Sequence, residues 1–485
     1  MIARIKKLFL LSTLYFLLST LLCGCGNQYS AEKLYWRASQ TAKEIIQNRP
    51  LDKLTAEERR KIIAGYRRVV EKYPLEPLAA RSGFMIAQIY ILQEQYSQAK
   101  EELVKITQNF SRNGELASQA QFMIGNLYER QGDWQQAISE YEKVTDLFPL
   151  SSIGLKTPIY VAEYYKRNKN EAQANKAYDR ALKHYQKIIN EYSGTSMVAA
   201  VKDYSALAYV SQGNWDAAVD VWQTIVNEYP QTQIGAGSLF AIGETYLREI
   251  KDLEKAIEVY EGFVENNPTS KIIRHAKFQI GRLYFIKEDF SKARQVLEEI
   301  IRDYPQEIAL CTNARLAVAA CYERQGNWDK ASQAYDKLKS DYPDSRVALG
   351  VPLFIAQHYL KENKVLEAES AFKEAVSGYK KLIKENREPE LAVEAQDFIS
   401  LAYISQQRWD EAIDSLKASV DAYPENPRVS TALFTIASIY QKQLAAPEKA
   451  IEIFEKFIAQ YPRHVLAGLA KSEIDALQKS IKQEF

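Results

Sequence analysis

Small and apolar residues recur along this 485-residue chain at intervals of three and four, the spacing that puts side chains on one face of an α-helix. Trp134, Ala137 and Tyr141 hold that spacing in one stretch, and Ala174, Tyr178, Ala181, Tyr185, Ile188 and Tyr192 extend it over a longer one. The pattern breaks at regular places, most often at an aromatic residue followed by proline: "EKYP" ends at Pro74, "DLFP" at Pro149, "NEYP" at Pro230, "RDYP" at Pro305, "SDYP" at Pro343, "DAYP" at Pro424 and "AQYP" at Pro462. "QNFS", "NEYS", "ENNP" and "KENR" fill the gaps. Proline lacks an N–H and cannot continue a helix, so each break predicts a helix end.

Counting the residue before each break gives steps of 37, 38, 44, 37 and 38 residues, and then the same five steps again. A constant short period is the signature of a repeat array. Inside each step the same chemistry returns. Gly125, Tyr128, Gly132, Trp134, Ala137, Tyr141 and Pro149 in one copy correspond to Ala319, Tyr322, Gly326, Trp328, Ala331, Tyr335 and Pro343 in another. A small alanine lets two helices approach, a tyrosine fills the space beside it, glycine makes the turn, and proline ends the second helix.

These spaced small, aromatic and breaker positions resemble those of the tetratricopeptide (TPR) repeat over most of the chain from Ala31 to about Gln460. The resemblance implies an all-α fold: a right-handed α-solenoid of about eleven TPR-like helix pairs with a capping helix at 463–485, where "HVLAGLAKSEIDALQKSIKQ" ends polar. A longer period of 194 residues lies above the short one. "LAYVSQGNWDAAVD" at Leu207 matches "LAYISQQRWDEAID" at Leu401 in nine of fourteen positions, and "EKAIEVYEGFVENNP" at Glu254 matches "EKAIEIFEKFIAQYP" at Glu448 in eight of fifteen. A tandem duplication of five helix pairs explains both, with block one at 31–266 and block two at 267–462. The 44-residue steps add almost two helical turns, lengthening one helix per block by about 10 Å. In the second block Ala368, Phe372, Ala375, Tyr379 and Leu382 carry the stripe. Such helices either form ledges for a partner or pack on the next repeat.

The first thirty residues read "MIARIKKLFLLSTLYFLLSTLLCGCGNQYS". The uncharged run from Leu8 to Leu22 makes a helix of about 22 Å, short of the roughly 30 Å of a bilayer's hydrocarbon core, which predicts a signal segment at 1–24. "LCGC" resembles the bacterial lipobox. That resemblance implies that Cys25 receives a diacylglycerol thioether and, after cleavage by signal peptidase II, an N-acyl chain such as palmitate; Cys23, behind bulky Leu22, fits less well. Residues 25–30 would be the tether, and Gly26 in place of Asp implies the outer membrane, with the protein facing the periplasm. The alternative is an uncleaved signal anchor.

Charge and composition narrow the function. The chain is 46% hydrophobic and 26% charged, as folded proteins are. Its 63 Lys and Arg balance 62 Asp and Glu, so the basic excess of a nucleic-acid binder is missing. Cys311 and Cys321, ten apart on one predicted helix, would lie about 15 Å apart, too far for a disulfide, and are expected in the core. His184, His275, His358 and His464 form no metal-ligand spacing, and no Walker loop, GxGxxG or GxSxG occurs. No catalytic residue, metal or cofactor is therefore expected. Trp134, Trp215, Trp328 and Trp409 form two pairs at the 194-residue period and are expected to pack at the start of second helices rather than to bind sugars.

What remains is surface. On TPR geometry the first helices line a groove that would include Phe122, Asn126, Glu129 and Arg130, then Phe240, Glu244 and Arg248, then Phe278 and Arg282, then Leu316, Glu323 and Arg324. Aromatic and charged residues together suit an extended polypeptide, although the Lys/Asn carboxylate clamp of chaperone-binding TPR domains is missing. The chain is similar to the TPR lipoproteins of the β-barrel assembly machine, with many more repeats, and at the same level to the TPR coordinators of the Tol-Pal system and the TPR adaptors of peptidoglycan hydrolases. This implies a membrane-tethered periplasmic scaffold that binds other envelope proteins or peptides, in outer-membrane protein assembly or in wall-hydrolase and division machinery. A glycan-binding lipoprotein and a wall lytic enzyme are the readings from other classes.

Overall fold

The computed structural model describes residues 29–46, 51–385, 389–424, 426, 428–462 and 464–484. The leader at 1–24 and the lipidation site Cys25 lie outside them. The described residues are helical and contain no strand, and none of their helices is long and apolar enough to cross a membrane. In chain order the helices make eleven consecutive pairs and one more, the all-α architecture that the periodicity predicts.

Two compact units divide at Asp252. The first holds α1 (residues 29–46), α2 (Ala56–Lys72), α3 (Pro77–Leu92), α4 (Tyr96–Asn109), α5 (Gly114–Arg130), α6 (Trp134–Leu147), α7 (Ser152–Arg167), α8 (Glu171–Glu191), α9 (Met197–Gln212), α10 (Trp215–Glu228) and α11 (Gln233–Thr245), which runs into a π-helical turn at Tyr246–Ile250. From α2 onward each helix packs on the next, and α3, α5, α7, α9 and α11 also touch in turn.

The second unit holds α12 (Leu253–Asn266), α13 (Ile273–Ile286), α14 (Phe290–Asp303), α15 (Ile308–Arg324), α16 (Trp328–Asp341), α17 (Arg346–Lys361), α18 (Val365–Glu385), α19 (Pro389–Ser405), α20 (Trp409–Ala422), α21 (Val429–Lys442), α22 (Pro447–Gln460) and α23 (Ala467–Glu484). The packing rule is the same, with α13, α15, α17 and α19 touching in turn. The last helix, α23, packs on α22 through buried Ala470 and Ile474 and turns a polar face outward.

Local chemistry fixes each helix. Asn113, Asp133, Asn170 and Asn214 accept a hydrogen bond from the third backbone N–H of α5, α6, α8 and α10, and Asp289 and Asn327 do so for α14 and α16. Such caps replace partners that the first turn lacks. At the other end, Tyr73, Phe148, Tyr229, Tyr304, Tyr342 and Tyr423 leave the helix with φ between −138° and −129°. Each precedes a proline, whose ring excludes the helical conformation from that residue. The turn between the helices of a pair takes one residue at positive φ: Gly132 (80°), Gly213 (77°) and Gly326 (71°), but also Glu94 (59°), Lys169 (58°), Glu288 (65°), Asn363 (56°) and Gln407 (56°).

The core is a series of small clusters between neighbouring pairs rather than one centre. In the first unit Ala79, Ala99, Leu103 and Ile124 make one cluster and Ala162, Tyr178, Tyr185 and Val201 another. In the second unit Ala319, Ala331, Tyr335 and Val351 form a cluster, followed by one around Phe372 and Tyr379 and one around Phe454 and Phe457. Cys311 and Cys321 are buried, free thiols, and burial pushes Cys321 up to about 11.

The long helices resolve in favour of packing. Both α8 and α18 have 21 residues, and their stripes are buried: Ala174, Tyr178, Ala181, Tyr185 and Ile188 in one, Ala368, Phe372, Ala375 and Tyr379 in the other. Each packs on a preceding helix that contains a proline, Pro158 in α7 and Pro352 in α17. A proline inside a helix withdraws an N–H and crowds the turn before it. Into that turn the long helix sends a hydroxyl: Tyr185 donates to the Leu155 carbonyl at 2.6 Å and Tyr379 to the Leu349 carbonyl at 2.6 Å. The added length and the internal proline occur together in both blocks.

Candidate functional site

In the first unit, Phe122, Asn126, Glu129 and Arg130 lie along α5. Tyr141 of α6 and Tyr160 of α7 meet Phe122 at centroid distances of 4.9 and 5.1 Å and each other at 5.3 Å. The Glu129 carboxylate caps this cluster, its Oε2 accepting from Tyr141 at 2.8 Å and from Tyr160 at 2.7 Å. The amide of Asn126 stands 2.6 Å from the Tyr141 hydroxyl. Burial first, and then the hydrogen bond and charge of Glu129, raise both phenols above their ordinary range. Trp134, the first residue of α6, stacks on Tyr164 at 3.3 Å. Three of the four predicted groove residues are thus tied into an internal aromatic network, and exposed Arg130 faces solvent beside it.

The equivalent site in the second unit keeps the plan and changes the parts. Glu323 of α15 accepts from Tyr335 at 3.0 Å and faces His358 Nδ1 at 3.0 Å. The His358 ring lies flat on Trp328 at 3.4 Å and 1°, in the place that Tyr164 takes on Trp134. Leu316 replaces Phe122, and Phe354 replaces Tyr160. Arg324 is exposed and 3.8 Å from Glu288. Trp134, Trp215, Trp328 and Trp409 each begin a second helix, as the sequence predicts.

The other groove residues lie on α11 and its π-helical turn in the first unit and on α13 of the second. Glu244 of α11 accepts from Arg248 Nε at 2.6 Å, and Arg248 stands in the π-helical turn, a distortion that the sequence pattern does not announce. Phe240 is half-buried on the same helix. On α13, Arg282 Nε donates to Gln279 at 2.8 Å, and Phe278 is half-buried. Half-exposed aromatic side chains beside charged ones offer what an extended polypeptide uses, but in each cluster the acids already have partners. Arg130, Arg248 and Arg324 are exposed.

Two further hollows lie beside the proline-containing helices α7 and α17, and the spacing within one helix does not announce them. In the first unit a cleft of about 240 Å³ is lined by Tyr141, Asp146, Pro158, Val161, Arg180 and His184. Its counterpart in the second unit, about 420 Å³, is lined by Pro343, Pro352, Ile355, Glu374, Gly378 and Tyr379. Pro158 corresponds to Pro352, and His184 corresponds to Gly378, so an imidazole occupies space in one cleft that is open in the other. His184 Nε2 is buried without a partner, and burial lowers the pKa of the ring. Among the described residues no group of three or more His, Cys, Asp or Glu side chains could hold a metal ion.

Three family profiles, all described as tetratricopeptide repeat, match the chain: one over residues 284–351, one over 119–151, 203–232, 238–270 and 431–464, and one over 355–427. Together they cover more than half of it. No curated protein matches. Among solved structures the chain is similar to yeast Tom70, at 11% identity and a TM-score of 0.39 over 93% of this chain and 97% of that one. It is similar to MamA at 24% identity and a TM-score of 0.27, over 37% and 96%. It is also similar to the Naa15/Naa10 complex bound to HypK, at 13% identity and a TM-score of 0.34, over 91% and 66%.

Proposed function

From the premise that this chain belongs to the tetratricopeptide-repeat proteins, we propose that it is a non-enzymatic scaffold anchored through Cys25 in the outer membrane, gripping extended segments of other envelope proteins on its first helices. The observation that carries the reading is the pair of equivalent aromatic sites under Glu129 and Glu323, each ending in an exposed arginine, Arg130 or Arg324. Aromatic surface next to a guanidinium is the composition that recurs at the centre of protein interfaces. The basic start, the apolar run from Leu8 to Leu22 and the "LCGC" sequence support the anchor.

Photo-crosslinking residues at Arg130 and Arg324 test the scaffold directly. Trapped β-barrel assembly proteins would place it in outer-membrane protein assembly, and trapped wall hydrolases or Tol-Pal proteins in envelope division. If neither position traps a protein in detergent extracts of envelopes, the scaffold reading fails. Radiolabelled palmitate tests the anchor: label should vanish in Cys25→Ser and persist in Cys23→Ser.

A further inference from the structure

The two blocks differ in charge at one cleft. In the second unit, a hollow of about 460 Å³ between α14, α15 and α16 is lined by Arg302, Arg315, Lys330 and Lys337, with Glu298 the one acid in its wall. Its floor is apolar, made by Ile301, Val318 and Ala334. Moving back by the 194-residue period replaces Arg302 by Gln108, Arg315 by Gln121, Lys330 by Gln136 and Glu298 by Val104, and keeps only Lys143 for Lys337. In the place of Ala334 stands Glu140, whose carboxylate takes Gln121 at 2.5 Å and Lys143 at 3.0 Å. One copy is thus neutral and internally closed, and the other is basic and open.

The bases are differently engaged. Arg302 is held by Asp303 at 3.0 Å, and Arg315 uses one nitrogen on Asp341 at 2.6 Å, leaving its buried Nε without a partner. Lys330 and Lys337 are exposed. Lys330 lies 5.7 Å from the centre of the Tyr322 ring, which draws its ammonium toward the cleft. On α15 the cleft takes Arg315, Val318 and Tyr322, a face offset by one residue, or about 100° of helical rotation, from Leu316 and Glu323.

We propose that this cleft binds an extended acidic peptide in which two carboxylates, three residues apart, flank an apolar side chain. The inference rests on the polypeptide-scaffold reading and adds the charge class of one partner. Lys330 and Lys337 are seven residues apart on α16, about 10.5 Å along the axis. In a polyproline II peptide, with three residues per turn and a rise of about 3.1 Å, residues three apart share one face and are separated by about 9 Å. Each carboxylate therefore meets one lysine while the side chain between them reaches the Ile301, Val318 and Ala334 floor. Charge of this kind sets partner choice and association rate.

The test uses the full-length protein in detergent and short fluorescein-labelled peptides repeating Glu-Leu-Ser, Gln-Leu-Ser or Lys-Leu-Ser, read by fluorescence anisotropy. The acidic peptide should bind about tenfold or more tightly than the glutamine peptide at low ionic strength, and the preference should shrink as salt screens it. Lys330→Glu with Lys337→Glu should remove the preference, and Lys330→Gln with Lys337→Gln should weaken it, both with an unchanged circular dichroism spectrum. Gln136→Lys with Glu140→Ala should raise the peptide stoichiometry from one to two. Equal binding of the acidic and glutamine peptides, or no effect of the lysine substitutions, overturns the proposal. Tighter binding of anionic vesicles or oligonucleotides through the same lysines overturns it as well. Continued protein capture at Arg130 and Arg324 in those cases would leave the scaffold reading standing. Acidic-peptide binding through the two lysines without such capture would uphold the cleft and sink the grip on the first helices.

Discussion

Removing one oxygen from Tyr185 or Tyr379 should cost each unit about the same. Tyr185 is fully buried and Tyr379 is 3% exposed, and each hydroxyl donates at 2.6 Å to a carbonyl in a turn disturbed by an internal proline. Phenylalanine keeps the ring and its packing, so what is lost is the hydrogen bond, and a buried carbonyl loses a donor that water cannot readily replace. That loss is worth about 2 kcal/mol within the usual range for a stranded buried group. For a unit of this size it lowers the midpoint by about 4 to 8 °C. Scanning calorimetry and urea titration followed by circular dichroism would measure Tyr185→Phe, Tyr379→Phe and, as a control, Tyr229→Phe, which should stay within about 0.5 kcal/mol of the parent. Pro158→Ala returns an N–H to α7 and relaxes the crowded turn, so in its presence Tyr185→Phe should cost less, with a coupling of about 0.5 kcal/mol or more. If Tyr185→Phe costs no more than the control, or if Pro158→Ala leaves its cost unchanged, the link between internal proline and long helix is wrong.

Two other perturbations probe the turns and the buried imidazole. Glu288 and Gln407 hold positive φ without being glycine, so Glu288→Gly and Gln407→Gly should each stabilise by about 0.5 kcal/mol, whereas Gly132→Ala and Gly326→Ala, which meet no neighbour, should destabilise by about 1 kcal/mol through the backbone alone; urea midpoints give the order. Burial lowers the pKa of His184 from its ordinary 6.5, so the unfolded chain takes up the proton first on acidification, and stability is whole above 6.5 and falls as pH drops through that value toward the folded one. Melting points at pH 7.5 and 5 should therefore differ less in His184→Gln than in the parent, and an undiminished difference would mean another group is responsible.

Much of the fold was legible because each local device leaves a mark in one dimension. A Tyr-Pro ending and a Gly at a turn act on near neighbours in sequence, and Trp134, Trp215, Trp328 and Trp409 begin their helices. The groove was legible only as a face. Spacing puts Phe122, Asn126 and Glu129 on one face of α5 and Leu316 and Glu323 on one face of α15, but the hydroxyl and imidazole partners of the two glutamates come from the next two helices, which spacing within one helix does not show. The role of the long helices was left open for the same reason. Whether Tyr185 ends on a ledge or on a carbonyl depends on Pro158, 27 residues away in sequence. The left-handed turn residues were half visible: Gly132 and Gly326 advertise the conformation, while Glu94, Lys169, Glu288 and Gln407 adopt it against their own preference because the two helices they join are already packed.

The serial cores carry a consequence for ancestry. Every helix in a unit leans on the helices just before and after it in sequence, so no element waits for a mate from far along the chain. A genome that copies an internal run of such pairs hands the product two new junctions that look like its old ones, and nothing already folded must open to admit the insert. The offset of 194 residues survives almost unbroken in the helix limits: α5 to α8 and α15 to α18 start and stop at matching residues, as do α10 and α20, and α12 and α22. On the tandem-duplication reading, growth by copying comes first, and the divergence of side chains, as at His184 and Gly378, then proceeds one pair at a time.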